Sequence, residues 1–144
     1  MQGFKFRLQS LLDIRCNLEE QSKIAFKEAQ SAKQLIENKL NNLKENYNKY
    51  SKIDFNCSST DRKIRQKYCN VLQFNINETS VELTKKNEIL EDKREELKKR
   101  QMERKTVEVL RDKQQDAYIK EQNLIEQKAN DEFALYAYIR NCKA

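Results

Sequence analysis

The sequence contains one glycine, no proline, no histidine and no tryptophan. A sheet-rich fold is excluded, because its strands would be joined by many turns, and turns depend on glycine and proline. Hydrophobic residues make up 38% of the chain and charged residues 36%, which is too polar for a compact globular core at this length. A narrow apolar seam between long helices fits this composition better. The alternative is disorder, but a disordered chain of this polarity lacks a sustained periodic stripe.

Membrane, secreted and zinc-binding proteins are disfavoured by further absences. No apolar run approaches the ~18–20 residues of a membrane span, and the apolar part of the N-terminus is too short for a secretory signal. We therefore expect a cytosolic protein, or one held at a membrane face only through its partners. The cysteines (Cys16, Cys57, Cys69 and Cys142) show no C-x-x-C spacing, so no structural metal site is expected.

The sequence also lacks the parts of an active site. Without histidine there is no ready general base, and without a glycine after Gly3 no phosphate-cradling loop can form. Carboxylate pairs such as Glu91 and Asp92 are adjacent on a helix exterior, where no pocket would shift their pKa values. We expect a non-enzymatic protein without a cofactor.

The charges are numerous but mixed. The chain carries 29 basic and 23 acidic residues, a net charge of +6, and the two signs are interleaved as on solvated helix faces. This pattern suits an acidic protein partner better than a nucleic acid, which calls for a segregated basic stripe. A basic cluster at residues 98–105, interrupted only by Glu103, is read as a solvated face; RNA binding through it is the alternative.

Apolar residues recur at alternating steps of three and four in two long segments, as in a heptad seam. The first stripe comprises Leu8, Leu11, Arg15, Leu18, Ser22, Ala25, Ala29, Ala32, Ile36, Leu40, Leu43, Tyr47 and Tyr50. The second comprises Ile64, Tyr68, Leu72, Ile76, Thr79, Leu83, Leu90, Leu97, Arg100, Glu103, Val107, Leu110, Gln114, Ala117, Glu121, Leu124, Lys128, Asp131, Leu135 and Tyr138. Arg15 is a polar break that sets the register or marks where the paired region ends.

Residues 54–61, DFNCSSTD, separate the two stripes and have the chemistry of a turn. Asn56 tolerates a left-handed backbone, and Ser58 and Asp61 have the spacing of a capping box. The sequence therefore predicts an all-α fold with two long antiparallel helices in one coiled-coil hairpin domain, residues 1–144. Helix one spans about 4–53, the turn 54–61 and helix two about 62–141.

The two predicted helices differ in length. At 1.5 Å per residue the first is roughly 75 Å long and the second roughly 120 Å. From near Asp112, therefore, about the last 25–30 residues of the second helix have no partner in the first helix. Because an isolated polar helix is marginally stable in water, this part favours a role in binding another protein. The aromatic residues near the turn either seal the end of the hairpin or form a second docking surface.

Two stretches resemble the FliJ family of the bacterial flagellar export apparatus. One is FKFRLQSLLDIRCNLEEQSKIAF at 4–26, and the other is VEVLRDKQQDAYIKEQNLIEQKANDEF at 107–133. The positions that carry the second match are Leu110, Arg111, Asp112, Lys113, Tyr118, Glu126, Gln127, Lys128, Asp131 and Glu132. The middle of the chain resembles the family only in its pattern of two heptad helices around a short bend.

The resemblance implies a cytoplasmic, non-catalytic component of the flagellar type III secretion machine, peripheral at the cell membrane. Such a stalk inserts its paired termini into the export ATPase hexamer, contacts the membrane export gate protein and assists the recycling of export chaperones. The alternatives are a helical hairpin that binds RNA and a homo-oligomeric coiled-coil scaffold.

The resemblance also suggests which residues make these contacts. The ATPase contact is assigned to Phe4, Phe6, Leu11, Arg15, Arg111, Gln127, Lys128, Asp131 and Glu132. The export-gate contact is assigned to Leu43, Tyr47, Tyr50, Tyr68 and Leu72. The alternative roles are seam and solvated face for the first set, and packing at the end of the hairpin for the second.

Overall fold

The computed structural model describes residues 3–52 and 55–143 and contains two helices within them. Helix α1 spans Gln9–Ser51 and helix α2 spans Ser59–Cys142. No strand is present in the described ranges. The helices pack closely and the second is almost twice as long, 84 residues against 43, so the predicted all-α helical hairpin is confirmed.

The chain divides into two compact units. The terminal unit comprises Met1–Leu18 and Gln101–Ala144, and the middle unit comprises Glu19–Arg100. In the middle unit Tyr50 meets Tyr68, and Phe26, which is earlier in α1, meets Arg94, which is later in α2. Each unit thus contains antiparallel helix segments, because the terminal unit repeats the pattern with contacts of Arg15 and Phe4 to α2. That the whole chain is one domain stays a prediction.

Helix α1 begins at Gln9 and not near residue 4, so the predicted start is wrong. The first helical hydrogen bond runs from the Leu12 N–H to the Leu8 carbonyl, 3.0 Å, and a turn closes from the Gln9 N–H to the Phe6 carbonyl, 3.2 Å. The alternation Phe4, Phe6 would place the two rings on different sides of a helix but on one side of an extended chain. The segment stays non-helical and its aromatic rings pack inward.

The bend is fixed by a local cap at the start of α2. The Asp61 N–H donates to the Ser58 hydroxyl oxygen, 3.2 Å, and the Ser58 hydroxyl donates to the Asp61 carboxylate, 3.0 Å. Ser58 therefore caps the helix as predicted, and α2 begins at Ser59 and not at residue 62 because the helical hydrogen bonds already start from the Ser58 carbonyl. Asn56 does not adopt a left-handed backbone, since no described residue has a positive φ. Ile53 and Asp54 of the predicted turn lie outside the described residues.

The middle unit has a core of leucines interrupted by polar side chains. Leu40, Leu72 and Leu90 are buried, and so are Ser22 and Thr79 of the predicted stripes. Glu19 is buried as well, which the first stripe did not include. Its carboxylate lies 3.4 Å from the Lys23 ammonium, so the buried charge is paired with a cation one turn along the same helix.

The second stripe is displaced by one residue in two places. At the start of α2 Ile64 and Tyr68 are exposed, while Arg65 and Cys69 are half-buried. Further along, exposed residues were predicted in the seam: Leu110, Gln114, Ala117, Glu121, Leu124, Lys128, Asp131, Leu135 and Tyr138. The half-buried residues between 110 and 138 are instead Arg111, Tyr118, Gln122 and Ala129. Long side chains such as arginine cover a seam with their methylene stems while the charge stays in water, so apolar identity alone misplaced the contact face.

Candidate functional site

The N-terminal segment forms the core of the terminal unit. Phe6 is buried in a cluster with Leu12 and Val107, against which Phe4 and Leu11 pack. The Phe4 ring lies 5.7 Å from the Tyr118 ring, centroid to centroid, at a tilt of 45°. Leu8, which the first stripe included, is exposed, and the buried leucine is Leu12. Three predicted ATPase-contact residues, Phe4, Phe6 and Leu11, are thus brought together, and they hold the segment onto α2.

Arg15 is the polar member of this end of the seam. Its guanidinium donates to the Glu103 backbone carbonyl at 2.7 Å, and the residue is half-buried. A charge-assisted hydrogen bond to a main-chain carbonyl fixes the position of α1 along α2, because a shift of one residue would move the acceptor away. This contact favours the register-setting role, one of the two predicted for Arg15, and the role of Arg15 stays a prediction.

The other predicted ATPase-contact residues are on α2. Arg111 is half-buried and its guanidinium lies 3.4 Å from the Asp112 carboxylate. The remaining four, Gln127, Lys128, Asp131 and Glu132, are exposed. The structure does not bring these four into the Phe6 cluster. They follow Tyr118 and Gln122, which line a groove together with residues 3–5.

The exposed end of α2 starts later than its predicted position near Asp112. A shallow groove lined by Gly3, Phe4 and Lys5 on one side and by Tyr118 and Gln122 on the other marks the last paired turn of the described residues. Residues 3–6 are not helical, and a non-helical chain can advance up to about 3.3 Å per residue where a helix advances 1.5 Å, so this segment can reach further along α2. Among the described residues 123–143, only Ala129 is even half-buried.

We call residues 123–143, the end of α2 with Lys143, the overhang, and it is rich in exposed apolar side chains. They are Leu124, Ile125, Phe133, Leu135, Tyr136, Tyr138 and Ile139. Steps of three and four place Leu124, Lys128, Asp131, Leu135 and Tyr138 on one face, which we call the overhang face. Phe133 lies on the opposite side of the helix. It is two positions from both Asp131 and Leu135, and a step of two positions turns about 200° around a helix.

The aromatic residues near the bend form a second group. The Tyr50 and Tyr68 rings meet edge to face with centroids 5.1 Å apart, and the Lys49 ammonium lies 5.4 Å from the Tyr50 centroid. Of the predicted gate-contact residues, Leu43, Tyr47 and Tyr50 are half-buried and Tyr68 is exposed. Leu72 is 3% exposed, so it packs between the helices and supports the others from inside.

The comparison with protein families decides what kind of chain this is. The model of the flagellar FliJ protein family matches residues 4–143. The chain belongs to the FliJ family. No curated protein and no solved structure matches it at a significant level. Membership makes it a component of the flagellar protein export apparatus that acts in protein transport with other export components.

Electrostatics in this FliJ-family chain are those of solvated helices. The Lys23 ammonium is hydrogen-bonded to Glu20 at 3.1 Å and also faces Glu19, and these carboxylates raise the pKa of Lys23. In the basic cluster at 98–105, Arg104 pairs with Glu108 one turn along. Because part of its charge is neutralised within the helix, the cluster gives RNA binding little support.

No metal-binding group is found in the part of the FliJ-family chain that the structure describes: nowhere do three or more cysteine or carboxylate side chains gather around one point. The four cysteines carry no disulfide. Within residues 3–52 and 55–143, neither helix has a stretch long and apolar enough to cross a membrane.

Two features of the bend were missed from the sequence. Phe55 and Phe74, two of the aromatic residues near the turn, are 84% and 61% exposed, so their rings do not seal the end of the hairpin. The bend is also basic, because residues 44–67 carry a net charge of +4, as residues 98–105 do. The signal was available, because no acidic residue occurs between Asp61 and Glu78.

Proposed function

We propose that this chain is a non-enzymatic stalk of the flagellar export apparatus that links the export ATPase hexamer to the membrane export gate. The terminal unit binds the ATPase, and the aromatic group near the bend contacts the gate protein. The chain works at the cytoplasmic face of the cell membrane, which it reaches through its partners, and it assists the recycling of export chaperones.

The observation that carries this proposal is the overhang. Seven large apolar side chains are exposed between residues 124 and 139, and exposed apolar side chains gathered on one element are typical of an interaction surface. A single polar helix is marginal in water, and binding to another protein stabilises it while removing those side chains from solvent. The matched residues Lys128 and Asp131 belong to the same face as Leu124 and Leu135, so this face offers charged and apolar contacts together.

The N-terminal segment supports the ATPase contact in a different way. Phe6 and Leu12 hold it against Val107, and Phe4 reaches Tyr118 close to where the overhang starts. Phe4 and Leu11 are half-buried and retain part of their surface for a partner. We propose that Phe6 and Arg15 position this segment, and that Phe4, Leu11, Arg111 and the overhang face make the contact.

The gate contact is supported by the geometry of the tyrosines. Tyr68 is exposed, and its ring is held edge-on by Tyr50, which gives a partner a rigid aromatic surface. Leu43 and Tyr47 continue this surface along α1 with half-buried side chains. Leu72 acts from beneath by keeping the two helices in register.

Binding to the purified export ATPase of the same organism tests the main contact. We expect Leu124→Ser with Leu135→Ser to weaken binding by at least about 100-fold, since burying each leucine contributes roughly 1.5–3 kcal/mol. Phe133→Ser is the matched control, because it removes an exposed ring from the opposite side of the overhang. Circular dichroism should show unchanged helix content in all variants.

Two outcomes would separate the alternatives. If removal of residues 1–7 and 131–144 leaves ATPase binding intact, the terminal unit is not the ATPase-binding site. If the leucine double variant converts a dimer into a monomer in sedimentation without changing ATPase affinity, the overhang face belongs to a homo-oligomeric scaffold instead.

A further inference from the structure

The bend is one of two places in this protein where positive charge is concentrated. Residues 44–67 hold seven of the 29 basic residues and three of the 23 acidic ones, a net charge of +4. Residues 98–105 also carry +4, but Arg104 of that cluster pairs with Glu108 on the same helix. At the bend one of the three acids, Asp61, accepts a hydrogen bond from the Ser58 hydroxyl and is turned into the helix cap. The bend therefore has a positive field of its own.

Apolar side chains are exposed on the same segment. Beyond Phe55, the first five turns of α2 expose Ile64, Val71 and Phe74. Lys63 and Lys67 are exposed between them. Because these α2 residues follow one another at steps of three and four, they share one side of the helix, away from the half-buried Arg65 and Cys69 of the seam.

We name this set, Phe55, Lys63, Ile64, Lys67, Val71 and Phe74, the outer face. Aromatic and aliphatic side chains with lysines among them, without an acidic residue before Glu78, are the composition of a helix that lies at a lipid–water interface. Lysine stems extend along apolar surface and leave the ammonium at headgroup level.

We propose that the outer face binds directly to an anionic lipid surface, with Phe55 and Phe74 entering the headgroup region and the basic residues of the bend facing lipid phosphates. The anionic partner is a membrane and not a nucleic acid, because Ile64 and Val71 offer no flat surface for base stacking but fit the boundary of the acyl chains. This contact does not depend on the proposed contact with the gate protein.

Vesicle flotation of the full chain tests the proposal. We expect binding to vesicles of phosphatidylcholine with about one third phosphatidylglycerol at ~0.1 M salt, weak binding to pure phosphatidylcholine, and release at ~0.5 M salt as the charges are screened. Lys63→Gln with Lys67→Gln should lower the partition coefficient by about 25-fold, since each lysine near an anionic surface contributes about fivefold.

The control changes the same net charge elsewhere in the middle unit. Lys98→Gln with Lys99→Gln removes two exposed lysines and should reduce binding by less than about twofold. An equal loss in both double variants would overturn the proposal, because binding would then depend on net charge alone. Phe55→Ser with Phe74→Ser should also lower the partition coefficient, by about tenfold or more.

The absence of tryptophan offers a direct reporter of insertion. Phe55→Trp introduces the chain's single tryptophan, and its emission should shift to shorter wavelength when phosphatidylglycerol vesicles are added. Phe133→Trp, at a similarly exposed position on the overhang, should not shift. An unshifted emission from the Phe55→Trp variant would overturn the insertion of this face. Tighter binding to single-stranded RNA than to vesicles at equal phosphate concentration would assign the outer face to a nucleic acid instead.

Discussion

The terminal and middle units are built from the same two helices but are held together differently. The terminal unit has an aromatic core in which a non-helical segment folds Phe6 onto Leu12 and Val107. The middle unit distributes its burial along the seam, where Leu40, Leu72 and Leu90 alternate with small or polar residues. Burial in the terminal unit falls off abruptly after Gln122, whereas in the middle unit it continues to the turns nearest the bend. Apolar burial near the chain ends is therefore concentrated in a few side chains.

The largest expected effect comes from the distributed seam. Leu90→Ala should lower the free energy of unfolding by about 3 kcal/mol, because a buried leucine is lost and the helices cannot fully close the space. Urea denaturation followed by circular dichroism measures it. Leu35→Ala is the control, since Leu35 is 70% exposed on the other helix of the same unit. Equal destabilisation by both substitutions would show that the leucine seam does not hold the middle unit.

A smaller and more local effect is expected from the terminal core. Phe6→Ala should cost about 2 kcal/mol, because the buried ring is the main link between the N-terminal segment and Val107. Hydrogen exchange should accelerate at the amides of residues 9–18 and stay unchanged in the middle unit. Uniform acceleration through both units would contradict the local role of this core.

Removing the helix cap at the bend tests whether the start of α2 is stabilised by local contacts. Ser58→Ala should destabilise the protein by about 1 kcal/mol, because the Asp61 N–H loses its acceptor. Thermal unfolding checks this, with Ser80→Ala as a control at a half-buried serine inside α2. A cost no larger than that of the control would mean that water replaces the cap fully.

The sequence predicted the hairpin because one signal dominates it. Apolar residues spaced three and four apart, without proline or glycine to interrupt them, favour long helices alone. Ser58 and Asp61 marked the position where the second helix begins. The first stripe was right from Leu11 to Tyr50 because large apolar and alanine positions there coincide with the seam.

Beyond Val107 the sequence could not predict which stripe of α2 faces α1, although the same stripe was right from Leu72 to Val107. In this last part of the helix the leucines Leu110, Leu124 and Leu135 are all on the exposed side. The actual seam includes Arg104 and Arg111, whose contact depends on tertiary packing and not on hydrophobicity. The non-helical course of residues 4–6 depends likewise on the contacts of Phe6 with Val107 and of Phe4 with Tyr118.

The smallest expected effect concerns the polar members of the middle seam. Ser22 is buried at a position where alanine would fill nearly the same volume. Alanine is also the better helix former, by about 0.5 kcal/mol. Ser22→Ala should therefore raise the free energy of unfolding slightly, measured by urea denaturation beside Ser31→Ala, an exposed serine in the same helix. If Ser22→Ala instead destabilises while Ser31→Ala stabilises, the hydroxyl makes a hydrogen bond that the seam needs, and the polar residues of the middle unit would then be specific contacts between its helices.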